Sequence, residues 1–121
     1  MLIFIQVYKK GEILRDREEN SEVVVIQTVS KRADEYVIRE RDPSENRYSD
    51  LTAYDFNSRY EYVQPDDPVL RAVYVESLPT DPHELTKEGR ALLAQNADTK
   101  SYAFPVSRVT PIDTVGLIFF K

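Results

Sequence analysis

The hydrophobic and polar positions along the chain predict a structure built mainly from β-strands. Residues 22–30, EVVVIQTVS, carry the strongest signal, because the four consecutive β-branched residues from Val23 to Ile26 are disfavoured in a helix. Such a run is typical of a strand that is buried on both faces. We expect residues 35–41 to pair with this strand as a hairpin through a turn at residues 31–34.

Further strands are predicted where β-branched and aromatic residues lie between turn formers. These strands cover residues 2–9, 12–17, 51–56, 59–64, 69–76, 101–109 and 113–121. Pro105 places segment 101–109 at a sheet edge or at a bulge. Because segments 51–56 and 59–64 are short, the expected total is about six or seven strands.

One helix is predicted, over residues 82–95. Asp81 is suited to cap it, and Pro82 is suited to its first position, where the missing N–H has no intrahelical partner. Glu84 completes a capping-box pattern three residues after Asp81.

The spacing of leucines predicts which face of this helix packs on the sheet. Leu85, Leu92 and Leu93 fall on one side. Gly89 lies on the same side, and since a glycine inside a helix costs about 1 kcal/mol relative to alanine, we interpret it as a point of close packing against the sheet. The resulting fold class is α+β, with a mostly antiparallel or mixed sheet and one helix packed on it; a small open barrel is the alternative.

Composition favours a single β-rich globular domain over residues 1–121, because a chain of this length buries enough surface for one core. The net charge of −5 argues against a nucleic-acid partner, since nucleic-acid-binding domains normally carry a basic field. The absence of cysteine excludes disulfides and thiolate chemistry. No apolar run approaches the ~20 residues of a spanning helix, so we expect a soluble, cytoplasmic protein with no membrane partner.

The two terminal segments bear on self-association. Residues 2–7 and 115–120 are strongly apolar and are flanked by Lys9, Lys10 and Lys121. Lysines beside such strands protect against edge-to-edge aggregation. The two segments are either central neighbours in the sheet, or one lies at an edge and pairs with a second copy, which would make a homo-oligomer.

The sequence contains no recognisable catalytic motif. Its three glycines, Gly11, Gly89 and Gly116, do not form a phosphate-binding loop, a dinucleotide fingerprint or a G-x-S-x-G elbow. His83 is the single histidine, and its place in the first turn of the predicted helix, beside Asp81, is typical of an exposed side chain. We therefore predict no catalytic, cofactor-binding or metal-ligating residues.

A carboxylate site in the middle of the chain is the enzymatic alternative. Five acids that could converge there are Asp50, Asp55, Glu61, Asp66 and Asp67. Their spacing does not match a calcium-binding loop. The adjacent Asp66 and Asp67 are flanked by Pro65 and Pro68, each of which disfavours helix at the preceding residue, so we interpret residues 65–68 as a rigid turn.

Tyrosine is the most unusual component, with eight copies and no tryptophan. Half of them lie in one segment that also contains Phe56 and two arginines. Tyrosine and arginine are enriched at recognition surfaces, although sheet tyrosines that cover a core while their hydroxyls stay hydrated are a common alternative. The predicted interface residues are Arg47, Tyr48, Tyr54, Phe56, Arg59, Tyr60 and Tyr62.

These observations favour a non-enzymatic protein–protein interaction or assembly module, such as an accessory subunit of a larger complex. Its expected partner is another protein or a second copy of itself, with no cofactor. The alternatives are a small carboxylate- or metal-dependent hydrolase, and an acidic inhibitor that occupies the nucleic-acid site of an enzyme.

Overall fold

Seven strands form two antiparallel sheets in residues 8–112, the part of the chain that the computed structural model describes. The strands are β1 (Ile13–Asp16), β2 (Ser21–Arg32), β3 (Val37–Arg39), β4 (Leu51–Thr52), β5 (Pro68–Tyr74), β6 (Tyr102–Pro105) and β7 (Val109–Pro111). The helices are α1 (Ala53–Asn57) and α2 (Lys87–Asn96). The α+β class is confirmed. Residues 1–7 and 113–121, which contain most of the first predicted strand and all of the last, lie outside the described residues.

The larger sheet is open and has the strand order β6-β5-β2-β1-β7, while β3 and β4 form the second sheet. Only four residue steps separate Pro105 in β6 from Val109 in β7, and they span at most about 14 Å. Five strands laid flat would be about 19 Å wide. The sheet must therefore curl until its two edge strands approach, and Phe104 of β6 and Val109 of β7 pack in one apolar cluster on the inner face.

The central strand β2 is buried on both faces, as its β-branched run predicts. Val23, Val24 and Val25 are all fully buried. Val23 and Val25 belong to the inner cluster, whereas Val24 packs on the other face with Val73 of β5 and Ala94 of α2. Helix α2 thus lies on the outer face of the curled sheet.

The predicted hairpin between residues 22–30 and 35–41 is wrong. Strand β2 pairs with β1 on one side and β5 on the other. Because both of its edges are occupied, β3 has no place beside it and pairs with β4 instead. Three other predicted strands are present: segment 12–17 contains β1, segment 69–76 overlaps β5, and segment 101–109 contains β6, an edge strand that ends at Pro105.

The middle segment is less extended than predicted. Strand β4 stops after two residues because Thr52 caps α1: its Oγ1 accepts from the Asp55 N–H, and the Asp55 carboxylate accepts from the Thr52 N–H. Predicted strand 59–64 is a pair of turns, in which the N–H of Tyr60 donates to the carbonyl of Asn57 and that of Val63 to the carbonyl of Tyr60. A capping box outweighs strand propensity here.

The turn at residues 65–68 is confirmed. The Asp67 carboxylate accepts from the Gln64 N–H at 3.2 Å, and the Asp67 N–H donates back to the Gln64 carbonyl at 3.1 Å. The carbonyls of Pro65 and Asp67 accept from the N–H groups of Asp34 and Ala33. These two backbone hydrogen bonds attach the turn to residues 33–34, directly after β2. They hold the start of β5 beside the end of β2.

The predicted helix begins later than expected. Residues Pro82–Glu84 form only a 3₁₀ turn, which Asp81 caps by accepting from the His83 N–H. The backbone then extends at Leu85, and α2 starts at Lys87 under a new cap, Thr86, whose Oγ1 accepts from the Gly89 N–H.

The predicted packing face of the helix is also wrong. Leu85 lies before α2 and is exposed, Leu92 is 60% exposed, and Ala94 is the helical residue that is buried against the sheet. A Cβ atom on Gly89 would lie 3.3 Å from the Leu85 Cβ and 3.4 Å from the Thr86 Oγ1. The close contact of Gly89 is therefore with the turn before its own helix and not with the sheet.

Two leucines of opposite burial test this packing. Leu70 in β5 is 1% exposed and packs in the inner cluster, so Leu70→Ala should lower the free energy of unfolding by about 2–5 kcal/mol. The matched control, Leu92→Ala, should change it by no more than about 0.5 kcal/mol. Urea unfolding monitored by circular dichroism measures both, and equal losses in the two variants would contradict the assigned core.

Candidate functional site

A groove of about 820 Å³ runs between the two sheets. One side is formed by residues 36–39, which include β3, and the other by residues 100–104, which include most of β6. Residues from the end of α1 and the turn after it close one part of the groove. Its volume falls within the range of ordinary ligand sites.

The charge of the groove is opposite to that of the chain. Among residues 8–112, five cations and no carboxylate line it, although the chain carries a net charge of −5. The cations are Arg39, Arg59, Arg71, Lys100 and Arg108. We call this feature the cationic groove.

Two of the five cations are neutralised by carboxylates. Arg39 lies 3.0 Å from a carboxylate oxygen of Glu45 at the surface, and Arg108 pairs with Asp16. Within residues 8–112, Arg59, Arg71 and Lys100 form no ion pair with a carboxylate. These three carry positive charge that the described part of the chain leaves available to an anion.

Arg71 is held rigidly although it lacks a carboxylate partner. Its Nε and Nη2 donate to the Ser101 hydroxyl at 3.1 and 2.7 Å, and Nη2 also donates to the Ser101 carbonyl at 3.0 Å. Its Nη1 donates to the Tyr36 hydroxyl at 3.0 Å. The guanidinium therefore joins the two sides of the groove and is half-buried there, fixed in place before any ligand arrives.

Arg108 is fixed by a buried ion pair. Asp16 is 0% exposed, and its two carboxylate oxygens accept from the Arg108 Nε at 2.9 Å and Nη2 at 3.0 Å. The remaining Nη1 donates to the Asn57 Oδ1 at 2.9 Å. The Tyr74 hydroxyl donates to Asp16 at 2.7 Å. Residues of β1, α1, β5 and the 3₁₀ turn Val106–Arg108 thus share one network.

The ionisation of this network follows from its contacts. Burial of Asp16 opposes its charge, but hydrogen bonds from Arg108, Tyr74 and the Glu18 N–H outweigh burial and hold the pKa of Asp16 below its ordinary value. Burial and the Asp16 carboxylate raise the pKa of the Tyr74 hydroxyl. Burial opposes the charge of Arg108, and the contact with Asp16 overcomes it and raises the pKa of Arg108. The ion pair is charged at neutral pH.

Aromatic and aliphatic side chains surround the cations. The Tyr74 ring packs edge-to-face on Tyr102 at 5.4 Å and on Phe104 at 5.9 Å, and Lys100 lies over the Tyr102 ring. Four exposed apolar or aromatic side chains line the groove, namely Val37, Ile38, Phe56 and Tyr102. The groove therefore offers cations and apolar surface together.

The seven predicted interface residues lie in three places: two line the cationic groove, two stack on each other beside it, and three lie elsewhere. Phe56 and Arg59 line the cationic groove. Tyr60 lies beside it, with its ring under the guanidinium groups of Arg59 and Arg108. Tyr62 stacks on Tyr60 at 6.0 Å, and its hydroxyl donates to Glu18; burial and this contact raise the pKa of Tyr62 to about 12.

The other three predicted residues lie away from the groove. Arg47 donates to Glu45 and to the Glu40 carbonyl, so it closes its own loop. Tyr48 is 81% exposed at that loop. Tyr54 packs against a small cluster that includes Ala53. Whether the seven residues contact a partner stays a prediction.

Most of the groove was missed by sequence reasoning. The missed residues that matter most are Arg71, Lys100, Tyr102 and Arg108. One signal was present: Arg71 interrupts the apolar strand VLRAVY, and an arginine within a largely buried strand needs a special partner.

Three of the five middle-segment acids hold parts of the fold, and the Asp67 carboxylate also accepts from the Ser107 hydroxyl. Asp50 accepts from the Arg41 N–H, Asp55 caps α1 and Asp67 closes its turn. The His83 imidazole lies 2.6 Å from Glu22, while the Asp81 carboxylate accepts from the His83 backbone N–H. In the described part of the chain, no group of three or more histidine, aspartate or glutamate side chains is placed to hold a metal ion.

Comparisons with protein-family models, with curated proteins and with solved structures return no match. None of the helices described in residues 8–112 has the length and apolar character to cross a membrane.

The buried ion pair predicts a defined dependence of stability on pH. Asp16→Asn should lower the free energy of unfolding by about 3–5 kcal/mol at pH 7, because Arg108 is left without its counter-ion. Since the pKa of Asp16 is lower in the folded chain than its ordinary ~3.9, its contribution is present above about pH 4 and is lost as the pH falls toward the folded pKa. The difference between wild type and variant should therefore shrink in acid.

Urea unfolding at a series of pH values measures this difference. Asp34→Asn is the matched control, because Asp34 pairs with Arg32 at the exposed surface, and its unfolding midpoint should stay close to that of the wild type. An Asp16→Asn variant that is as stable as wild type at neutral pH would show that the ion pair does not hold the fold.

Proposed function

We propose that this chain is a non-enzymatic interaction module that binds an acidic segment of a partner protein in the cationic groove. The observation that carries the proposal is the lining that the described part of the chain provides: five cations and no carboxylate, in a chain with a net charge of −5. Charges of one sign gathered in a concave site raise the local concentration of the opposite charge and select for it.

The chemistry and orientation of the groove's cations favour carboxylates as the ligand. Arginine presents a planar fork that matches a carboxylate, and charge-assisted hydrogen bonds of this kind are stronger than neutral ones. The Nε and Nη2 groups of Arg71 already donate to Ser101, and its Nη1 donates to Tyr36. Arg71 therefore meets an anion as a fixed positive charge, with little conformational entropy to lose. Arg59 and Lys100 are exposed and add charge at the rim.

The apolar part of the lining favours a protein segment over a nucleic acid. Val37, Ile38 and Phe56 are exposed and offer contacts to aliphatic side chains. The net charge of −5 also repels a phosphate backbone at long range.

The wider role that we propose is that of an accessory or assembly subunit, with the cytoplasm as its compartment. Self-association is included, since a second copy of an acidic chain is one source of carboxylates. Light scattering on the purified protein, with and without an added acidic peptide, separates self-association from a different partner.

A synthetic peptide tests the charge requirement. The probe is a labelled peptide of about six residues, an ordinary strand length, in which glutamate alternates with valine. Fluorescence anisotropy should show binding that weakens by about tenfold or more in the double variant Arg71→Gln, Lys100→Gln, because the groove loses two of its cations. Lys100→Gln alone keeps the Arg71 contacts that support the fold and should still weaken binding.

Lys31→Gln is the matched control, because Lys31 is an exposed cation that does not line the groove. It should bind the peptide as wild type does, and all variants should be compared at matched unfolding midpoints. Equal binding of a peptide with lysine in place of glutamate, tighter binding of a single-stranded oligonucleotide, or wild-type affinity in the groove variants would each overturn the proposal.

A further inference from the structure

The cationic groove runs along the outer edge of β6. Successive side chains of a strand point to opposite faces, so a pocket on one face is lined by every second residue. Here the five consecutive residues 100–104 all line the groove. Side chains from both faces of the strand therefore reach the groove, so the groove follows the edge of the strand. Residues 36–39 line the opposite side in the same consecutive manner.

The edge of β6 that borders the groove has no partner strand within residues 8–112. Strand β6 is the outermost strand of its sheet and pairs only with β5. No backbone hydrogen bond from another described element reaches residues 101–105. An edge strand directs the N–H and C=O groups of every second residue away from its sheet, so these groups face the groove.

Within the described part of the chain, protection of this edge is incomplete. Pro105 ends β6 and Lys100 precedes it, and both residue types discourage the pairing of edges. Between them, Tyr102 and Ala103 present an ordinary strand backbone. Lys100 belongs to the groove lining. The same side chain that discourages pairing with a basic or apolar strand therefore attracts an acidic strand.

We infer that the acidic segment binds as an added β-strand on the outer edge of β6. This inference rests on the proposed function and deepens it, because it specifies an extended acidic peptide as the ligand. Backbone hydrogen bonds to β6 would supply affinity, and the charged and apolar lining would select the sequence. Residues 100–104 span about 13 Å at ~3.3 Å per residue, which matches four or five residues of ligand.

The register of β5 and β6 indicates where the first carboxylate is held. Ala103 lies directly opposite Arg71, and directly paired residues share a face of the sheet. A ligand residue next to Ala103 on that face therefore meets the fixed guanidinium of Arg71. Its two neighbours in the ligand point to the other face, where Tyr102 and Lys100 lie together.

Backbone methylation of the ligand tests strand addition in the intact protein. The probe is the same peptide of alternating glutamate and valine, N-methylated at one position at a time. In an added strand every second N–H bonds to β6 and the others point away. Methylation at alternate positions should therefore weaken binding by about tenfold, and at the positions between them by no more than about twofold.

The outcomes separate this inference from the proposed function. If binding depends on Arg71 and Lys100 but the methylation series shows no alternation, or every methylation abolishes binding, strand addition is wrong and acidic-peptide binding stands. If the unmodified peptide does not bind at all, both are wrong. Alternation with a period of two, together with loss of affinity in the double variant Arg71→Gln, Lys100→Gln, supports both.

Discussion

The buried ion pair between Asp16 and Arg108 is the interaction on which the rest of the structure depends most. The short connection from Pro105 to Val109 brings the two edges of the larger sheet together, and Arg108 lies in that connection. Its guanidinium meets Asp16 of β1 and Asn57 of α1, while Tyr74 of β5 also donates to Asp16. One fully buried carboxylate thus ties together the curl of the sheet, the short helix and one side of the cationic groove.

The same pair explains how an acidic chain holds a cationic site. Asp16 neutralises Arg108 but does not itself line the groove. Arg71 is held by neutral oxygens of Ser101 and Tyr36, so its charge is positioned without being cancelled. Keeping a half-buried guanidinium without a carboxylate costs desolvation energy. An incoming carboxylate would offset that cost, which is a physical reason for the site to prefer an anion.

The sequence predicts the elements better than their pairing. The β-branched run from Val23 to Ile26 correctly predicts a strand that is buried on both faces. Consecutive residues of a strand point to opposite faces, so a continuous apolar run indicates that both faces are buried. Pairing of β2 with β1 and β5 is set by competition among strands far apart in the sequence, which local patterns do not contain. Helix starts were misread at Thr52 and Thr86, where a threonine cap outweighs strand propensity or an earlier aspartate. The groove could be predicted only in part, because it is formed by segments far apart in the sequence. Phe56 and Arg59 come from the predicted tyrosine-rich segment. Only the fold brings Arg71, Lys100 and Arg108 next to them.

The central claim is that the cationic groove is the binding surface. The most direct test is a ¹H–¹⁵N correlation spectrum of the whole protein, titrated with the peptide of alternating glutamate and valine. If the cationic groove is the binding surface, the amide shifts should concentrate at residues 36–39, 56–59 and 100–104. Shifts confined to the loop around Tyr48, or spread evenly over the surface without saturation, would contradict it.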